Sequence, residues 1–212
     1  MSFSEVQIDC LRERVRSSMS EWRFTHTAEV EKMAVRIGEL YVPEELDMLR
    51  VAALLHDITK EKSTKEQLII LESHGVKVTD ADRMSPKTLH ARTAELEVID
   101  NYPEFATEKV LTAVRRHTTG HPQMTVADAI IYLADYIDMS RKFDDCVCLR
   151  EYFWGKYPQH MSESERLSHL WRTVVMSFDM TIKALLEEGS PISIETAEAR
   201  NAIICRTERA GE

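Results

Sequence analysis

No segment of this chain reaches the ~18 consecutive apolar residues that a membrane-spanning helix requires, so a bilayer-crossing role is not expected. The opening MSFSEVQIDC has no basic stretch leading into an apolar one, and no secretory signal is visible. Glycine is scarce, 6 in 212 residues, and no P-loop, dinucleotide fingerprint, G-x-S-x-G turn or H-E-x-x-H helix occurs. Those absences remove four common routes to phosphate, cofactor or acyl chemistry. The four cysteines, Cys10, Cys146, Cys148 and Cys205, form no C-x-x-C pair. They indicate neither a zinc knuckle nor a disulfide framework, and a reducing cytoplasm is the expected setting. Basic residues are outnumbered, 27 against 36 acidic, for a net charge of −9. That balance disfavours long nucleic acid and anionic membrane as partners. It leaves room for a small anionic ligand, because bound metal and a few placed cations invert the field locally.

What is present is a helical pattern. Hydrophobic residues make up 43% and charged residues 30% of the chain, the balance of a globular protein with one core. No period-two alternation persists, and there is no internal repeat or linker. Residues 4–18 read as a first helix with Val6, Cys10 and Val15 on its apolar side. Thr25 is a plausible cap for a second, carrying Val30, Met33, Ala34, Ile37 and Tyr41. A third runs over 44–57 behind Pro43, and a short one over 65–74 is stopped by Gly75. The stretch 76–84 reads as polar loop. Helices follow from Ser85-Pro86 to Tyr102, over 104–117 and over 125–139. The region 144–162, with Phe153, Trp154 and Tyr157 around a glycine and a proline, reads as an irregular excursion packed by aromatics. A long helix over 163–188 carries Leu167, Leu170, Trp171, Val174, Val175, Phe178, Ile182 and Leu185, and a last one spans 195–207. The expected fold is all-α, one bundle of about nine or ten helices.

Several imidazoles and carboxylates fall in phase with apolar stripes: His26, His56, Asp57, His90, His117 and Asp135. One histidine on an apolar face is ordinarily a hydrogen-bonded core residue; His74, His160 and His169 read that way or as surface. Six inward groups from five helices are a different matter, since each must be paired, hydrogen-bonded or metal-bound when buried. Four imidazoles and two carboxylates exceed the about four ligands of a single zinc site. They suit two divalent transition-metal ions with one aspartate between them, and imidazole-rich ligation favours Fe, Mn, Co or Zn over Mg. Such a pair activates water and holds phosphate oxygens for in-line displacement, which is phosphoester or phosphoanhydride hydrolysis.

Cations stand near those ligands. Lys60 lies one turn past His56, Arg115 and Arg116 precede His117, and Arg141 and Lys142 follow the Asp135 helix. Arg forks and Lys point charges are the usual means of polyphosphate recognition. For Arg115, Arg116 and Lys142 a solvated helix face is the competing explanation. Thr118 and Thr119 offer hydroxyls to phosphate or simply form the turn, and Gly120 permits close approach or a positive φ.

The pattern His26 … His56-Asp57 … Asp135 resembles the HD-domain superfamily of metal-dependent phosphohydrolases, and His90 and His117 resemble its two-metal subset. The segments His56-Asp57-Ile-Thr-Lys60, Arg116-His117-Thr-Thr-Gly120 and Ala134-Asp135-Tyr-Ile137 with Arg141-Lys142-Phe143 are similar to the bacterial YqeK-like proteins, as is Glu195–Asn201. The resemblance runs from about residue 24 to 204. It implies one HD domain over residues 1–212, with a core over about 24–143 and C-terminal helices over 163–207 packed on it. It implies a centre of two ions, iron foremost, held by His26, His56, Asp57, His90, His117 and Asp135. It implies symmetrical hydrolysis of diadenosine tetraphosphate to two ADP, with Lys60, Thr118, Gly120 and Arg141 behind the ligands or on the substrate. Joined to the cations and hydroxyls above, the expected site has Asp57, Lys60 and Arg141 in catalysis and Lys60, Arg116, Thr118, Thr119, Gly120, Arg141 and Lys142 on the substrate. A homodimer is a further expectation. Where the family often has Glu-Pro, Asp138-Met139 stands here, and 144–163 is longer or more aromatic than the family pattern. Two other readings remain: a phosphohydrolase of another nucleotide or alarmone, and a nucleotide-sensing module that keeps its ligands for structure, with Phe153 and Trp154 in a partner surface.

Overall fold

The helices begin where short polar side chains can satisfy the free backbone donors of a first turn. In the computed structural model, which describes residues 2–209, Ser4, Ser63, Thr79, Thr125 and Ser162 each close a reciprocal box with the residue three positions on. The resulting helices are α1 (Glu5–Ser18), α2 (Glu21–Tyr41), α3 (Leu46–Leu55), α4 (Thr64–Ser73), α5 (Asp80–Met84), α6 (Leu89–Asn101), α7 (Glu108–Arg116), α8 (Val126–Ile137), α9 (Asp144–Gly155), α10 (Glu163–Glu187) and α11 (Ile194–Arg209). Among the described residues there is no strand, and no helix is long and apolar enough to cross a membrane. The four cysteines are free thiols.

Helix α3 is the centre of the packing. It is buried along Met48, Leu49 and every residue from Val51 to Leu55, and α2, α7, α8 and α1 pack around it. The approach of α2 depends on Gly38: a Cβ there would stand 2.5 Å from Leu49 Cδ1 and 2.8 Å from Leu46 Cδ2. Helix α6 packs on α7 and α4, while α10 lies across α8, α9 and α11.

Several local expectations are corrected. The buried stripe of α1 is Ile8, Leu11 and Val15, whereas Val6 and Cys10 face solvent; the spacing of three and four selects the first set. Helix α2 starts five residues earlier than a Thr25 cap implies. Ser20 caps it and is itself held by Glu61, which accepts from the Ser20 amide at 2.8 Å. The 76–84 loop contains α5. The 144–162 region is helical over α9, which buries only Cys146, Leu149 and Phe153, too sparse a set to show periodicity. Tyr157, at φ 53°, turns the chain out of it. On α10, Leu167 is exposed and Val175, Ile182 and Leu185 are half-buried, so the inward face is shorter than the apolar pattern suggests.

Candidate metal centre

The site forms where α3 ends. Past Leu55 the chain tightens, with amides bonding three residues back: Ile58 to Leu55 at 3.2 Å, Lys60 to Asp57 at 2.9 Å and Lys62 to Thr59 at 3.0 Å. The tightening turns His56 and Asp57 inward together, and both are buried. Thr59, also buried, donates to the His90 carbonyl at 3.0 Å and so fastens this turn to α6.

Two histidines are oriented by one device. His56 and His117 each follow the last residue of a helix, where carbonyls are left free. His56 Nδ1 donates to the Ala53 carbonyl at 2.6 Å, and His117 Nδ1 to the Val114 carbonyl at 2.6 Å. A carbonyl only accepts, so the proton sits on Nδ1 and the Nε2 lone pair faces inward, the arrangement metal-ligating histidines use. His26 projects from α2, His90 from α6 and Asp135 from α8 toward the same point.

The carboxylate of Asp57 lies between two histidine groups. Its Oδ2 is 3.7 Å from His26 Nε2 and 3.6 Å from His56 Nε2. Its Oδ1 is 3.3 Å from His90 Nε2 and 3.7 Å from His117 Nε2. Asp135 joins the first group, with Oδ1 3.0 Å from His26 Nε2 and 3.8 Å from His56 Nε2. In the second, His90 and His117 face each other through Nε2 atoms 3.0 Å apart.

These residues fit a divalent metal. His26 Nε2, His56 Nε2 and Asp57 Oδ1 are buried without a hydrogen-bond partner, a costly condition that an ion at the centre relieves. Three overlapping triads, His26-His56-Asp57, His56-His117-Asp135 and Asp57-His90-His117, each keep their donor atoms within 4.8 Å of one another. Imidazole and carboxylate together form a donor set suited to transition metals.

The protonation states of His56, Asp57 and Asp135 agree with that use, and His26 would have to release a proton to an arriving ion. Burial, only partly opposed by Asp57, pushes the His56 imidazole down to about 4, so it is neutral near pH 7. Burial opposes ionisation of Asp57, but His56, His117 and Lys60 hold its carboxyl well below the usual range. Arg141 and His26 do the same for Asp135 against its burial. His26 is raised to about 9, its desolvation outweighed by Asp135 and Asp138.

The other expected site residues divide. Lys60 Nζ lies 3.0 Å from His90 Nε2 and 3.9 Å from Asp57 Oδ1; burial lowers its pKa, although Asp57 opposes this. The Thr118 hydroxyl is 3.0 Å from His90 Nε2. Arg141 bonds the Asp135 side chain and main chain. These three surround the cluster. The rest are engaged elsewhere. Arg116 pairs with buried Asp128 at 2.8 Å and with the Gln123 carbonyl at 3.0 Å. The Thr119 hydroxyl donates to Glu195 at 2.9 Å. Gly120, at φ +71°, sits where a Cβ would be 2.5 Å from Phe178 Cζ and 3.2 Å from Ala199 Cβ. Lys142 is exposed and donates to the Met139 carbonyl at 2.9 Å. Two residues that the sequence pattern does not single out belong to the site. Arg23 donates to Asp57 Oδ2 at 2.7 Å; its position three residues before His26, on the same helix face, is the signal available for it. Asp138, fully buried, has Oδ2 3.3 Å from His26 Nδ1.

The family model for the HD domain matches residues 23–140, which contain all six imidazole and carboxylate groups of the cluster. The chain belongs to the HD domain family. Among its relatives, this HD domain protein is 27% identical over 192 residues to "Bis(5'-nucleosyl)-tetraphosphatase, symmetrical" of Halalkalibacterium halodurans, covering 90% of this chain and 93% of the relative. It is 25% identical over 192 residues to the protein of the same name from Bacillus subtilis, covering 90% and 94%. The HD fold is shared with a solved structure from Clostridium acetobutylicum, described as a "predicted HD superfamily hydrolase involved in NAD metabolism". The TM-score is 0.80 at 28% sequence identity, over 97% of this chain and 100% of that one.

Proposed function

We propose that this HD domain protein is a metal-dependent phosphohydrolase that cleaves diadenosine tetraphosphate symmetrically to two ADP, using two divalent transition-metal ions, iron foremost. The observation that carries the reading is the division of Asp57, one oxygen toward His26 and His56 and the other toward His90 and His117. One carboxylate shared by two imidazole groups is the ligand arrangement of a paired centre. The family match and the names of the relatives support the phosphohydrolase class.

Bound divalent ions supply Lewis acidity toward phosphate oxygens and an activated water. His26, His56 and Asp135 would hold one ion and His90 and His117 the other, with Asp57 available to both. Lys60 and Arg141 place positive charge at the rim, where the tetraphosphate chain gathers negative charge as its central bridge breaks. The Thr118 hydroxyl stands beside them, within reach of a phosphate oxygen. Water adds to one central phosphorus, the central P–O–P bond breaks, and each half leaves as ADP.

Product analysis tests this. Purified protein loaded with Fe2+, Mn2+ or Co2+ should convert diadenosine tetraphosphate to ADP alone. ATP plus AMP would contradict the symmetrical cut. The solved relative's description in NAD metabolism favours one other reading, hydrolysis of another nucleotide. Turnover of such a nucleotide with diadenosine tetraphosphate left intact would establish it.

A further inference from the structure

His26 differs from the other oriented ligands. It lies inside α2, where main-chain carbonyls are taken by the helix, so it cannot use the device of His56 and His117. Its Nδ1 faces the turn that follows α8. There Asp138 is wholly buried. Its Oδ1 accepts from the Ser140 amide at 2.8 Å and from the Ser140 hydroxyl. The Ser140 hydroxyl has one proton, and a carboxylate oxygen takes it. Toward His26 Nδ1, 3.2 Å away, Ser140 Oγ is therefore an acceptor. Asp138 Oδ2, buried without an aligned donor of its own, lies 3.3 Å from the same Nδ1. Both contacts require the proton on Nδ1 and leave the Nε2 lone pair for the centre.

We propose that Asp138 is a positioning residue for the metal centre, acting on His26 both directly through Oδ2 and through the Ser140 hydroxyl. A carboxylate behind an imidazole fixes its tautomer and orientation and increases electron donation from the far nitrogen. His56 and His117 have neutral carbonyls in that place, so His26 is the ligand given an anionic support. Arg150 of α9 holds the turn in register, donating to the carbonyls of Ile137 at 3.2 Å and Arg141 at 3.4 Å, and to that of Asp138. Helix α9 thereby braces the turn from which His26 is aimed. The proposal rests on the reading of the cluster as a paired metal centre.

Equilibrium dialysis of the metal-stripped full chain against Mn2+ tests it. Wild type should take up two ions. Asp138→Asn, whose amide can present a donor to His26 and permit the wrong tautomer, should weaken one of the two about 10–100-fold and leave the other near its wild-type affinity. Ser140→Ala leaves Asp138 Oδ2 beside Nδ1 and should weaken the same ion by about tenfold, the low end of that range. Both ions retained at wild-type affinity in the two variants, or both lost in parallel as a general structural defect would produce, overturns the relay. If Asp138→Asn does not fold, Ser140→Ala decides on the same two criteria. A wild-type chain that takes up no ion overturns the metal reading and the relay together, whereas two ions in wild type with unchanged variants overturns the relay alone.

Discussion

Arg23 Nη1 donates to Asp57 Oδ2 across 2.7 Å, so the aspartate shared by both histidine groups is tethered from α2, one turn before His26. The guanidinium is in turn stacked on the exposed Trp22 ring, 4.7 Å from its centroid. Removing it frees the central ligand to rotate. Arg23→Ala should lower kcat on diadenosine tetraphosphate about 10–100-fold, the usual effect of losing a group that orients a metal ligand. Steady-state kinetics at saturating Mn2+ would check it, and an unchanged kcat would remove Arg23 from the site.

Asp57 and His117 should differ in metal stoichiometry. Asp57→Ala removes the donor common to both groups and is expected to abolish tight binding of both ions. His117→Ala removes a donor from the Asp57-His90-His117 triad and should spare the ion beside His26. Elemental analysis after gel filtration would give the two counts, and equal losses would show that the positions are not separable.

The metal-stripped protein should be most stable near the ordinary histidine value of 6.5. His56 is held down to about 4 against that value. As pH falls through that window, the unfolded chain takes up a proton the native state refuses, and stability declines. His26 is raised to about 9. Its contribution is complete below the ordinary histidine value and is lost as pH rises through about 9. Each proton gives a slope approaching about 1.4 kcal/mol per pH unit within its window. Chemical denaturation of chelator-treated protein from about pH 4 to about pH 9, the span of the two shifted values, would show the maximum, and a monotonic profile would contradict it.

Gly120→Ala should destabilise the fold by about 2–3 kcal/mol, since a Cβ adds strain at positive φ and collides with a packed ring. The position meets Phe178 and Ala199, so urea unfolding is the measurement. Wild-type stability with a raised KM would instead return Gly120 to substrate binding.

Arg116→Ala should cost roughly 3 kcal/mol of stability, because it strands buried Asp128 without its ion-pair partner. KM of the folded protein should stay close to wild type. A large rise in KM at unchanged stability would restore Arg116 to the phosphate path.

The six donors that converge on the cluster are legible in the sequence because each ends or continues an apolar stripe, and six such groups from five helices are hard to account for as separate core residues. His26, His56 and Asp135 illustrate it, being in register with Val30, Ala52 and Ile131. The cations are less legible. Arg116 and Lys60 look alike in sequence, yet one turns to Asp128 and the other to His90, a choice made by the surrounding fold. Asp138 carries no periodic signal, since it lies just past a helix end. Helix α9 escapes a periodicity reading because three buried residues in twelve do not make a stripe.

The segment matched by the family ends at residue 140, yet the loop after His117 is fastened from far beyond it. Thr196 donates to the Thr119 carbonyl at 3.0 Å, Glu195 takes Arg115 at 2.9 Å, and Gly120 rests on Phe178 and Ala199. A chain shortened to the matched segment would keep every metal-facing donor and lose the clasp on the loop that follows His117. The family match and the packing around the cluster thus have different boundaries: the tail contributes no donor to the cluster, but it holds the loop that follows His117.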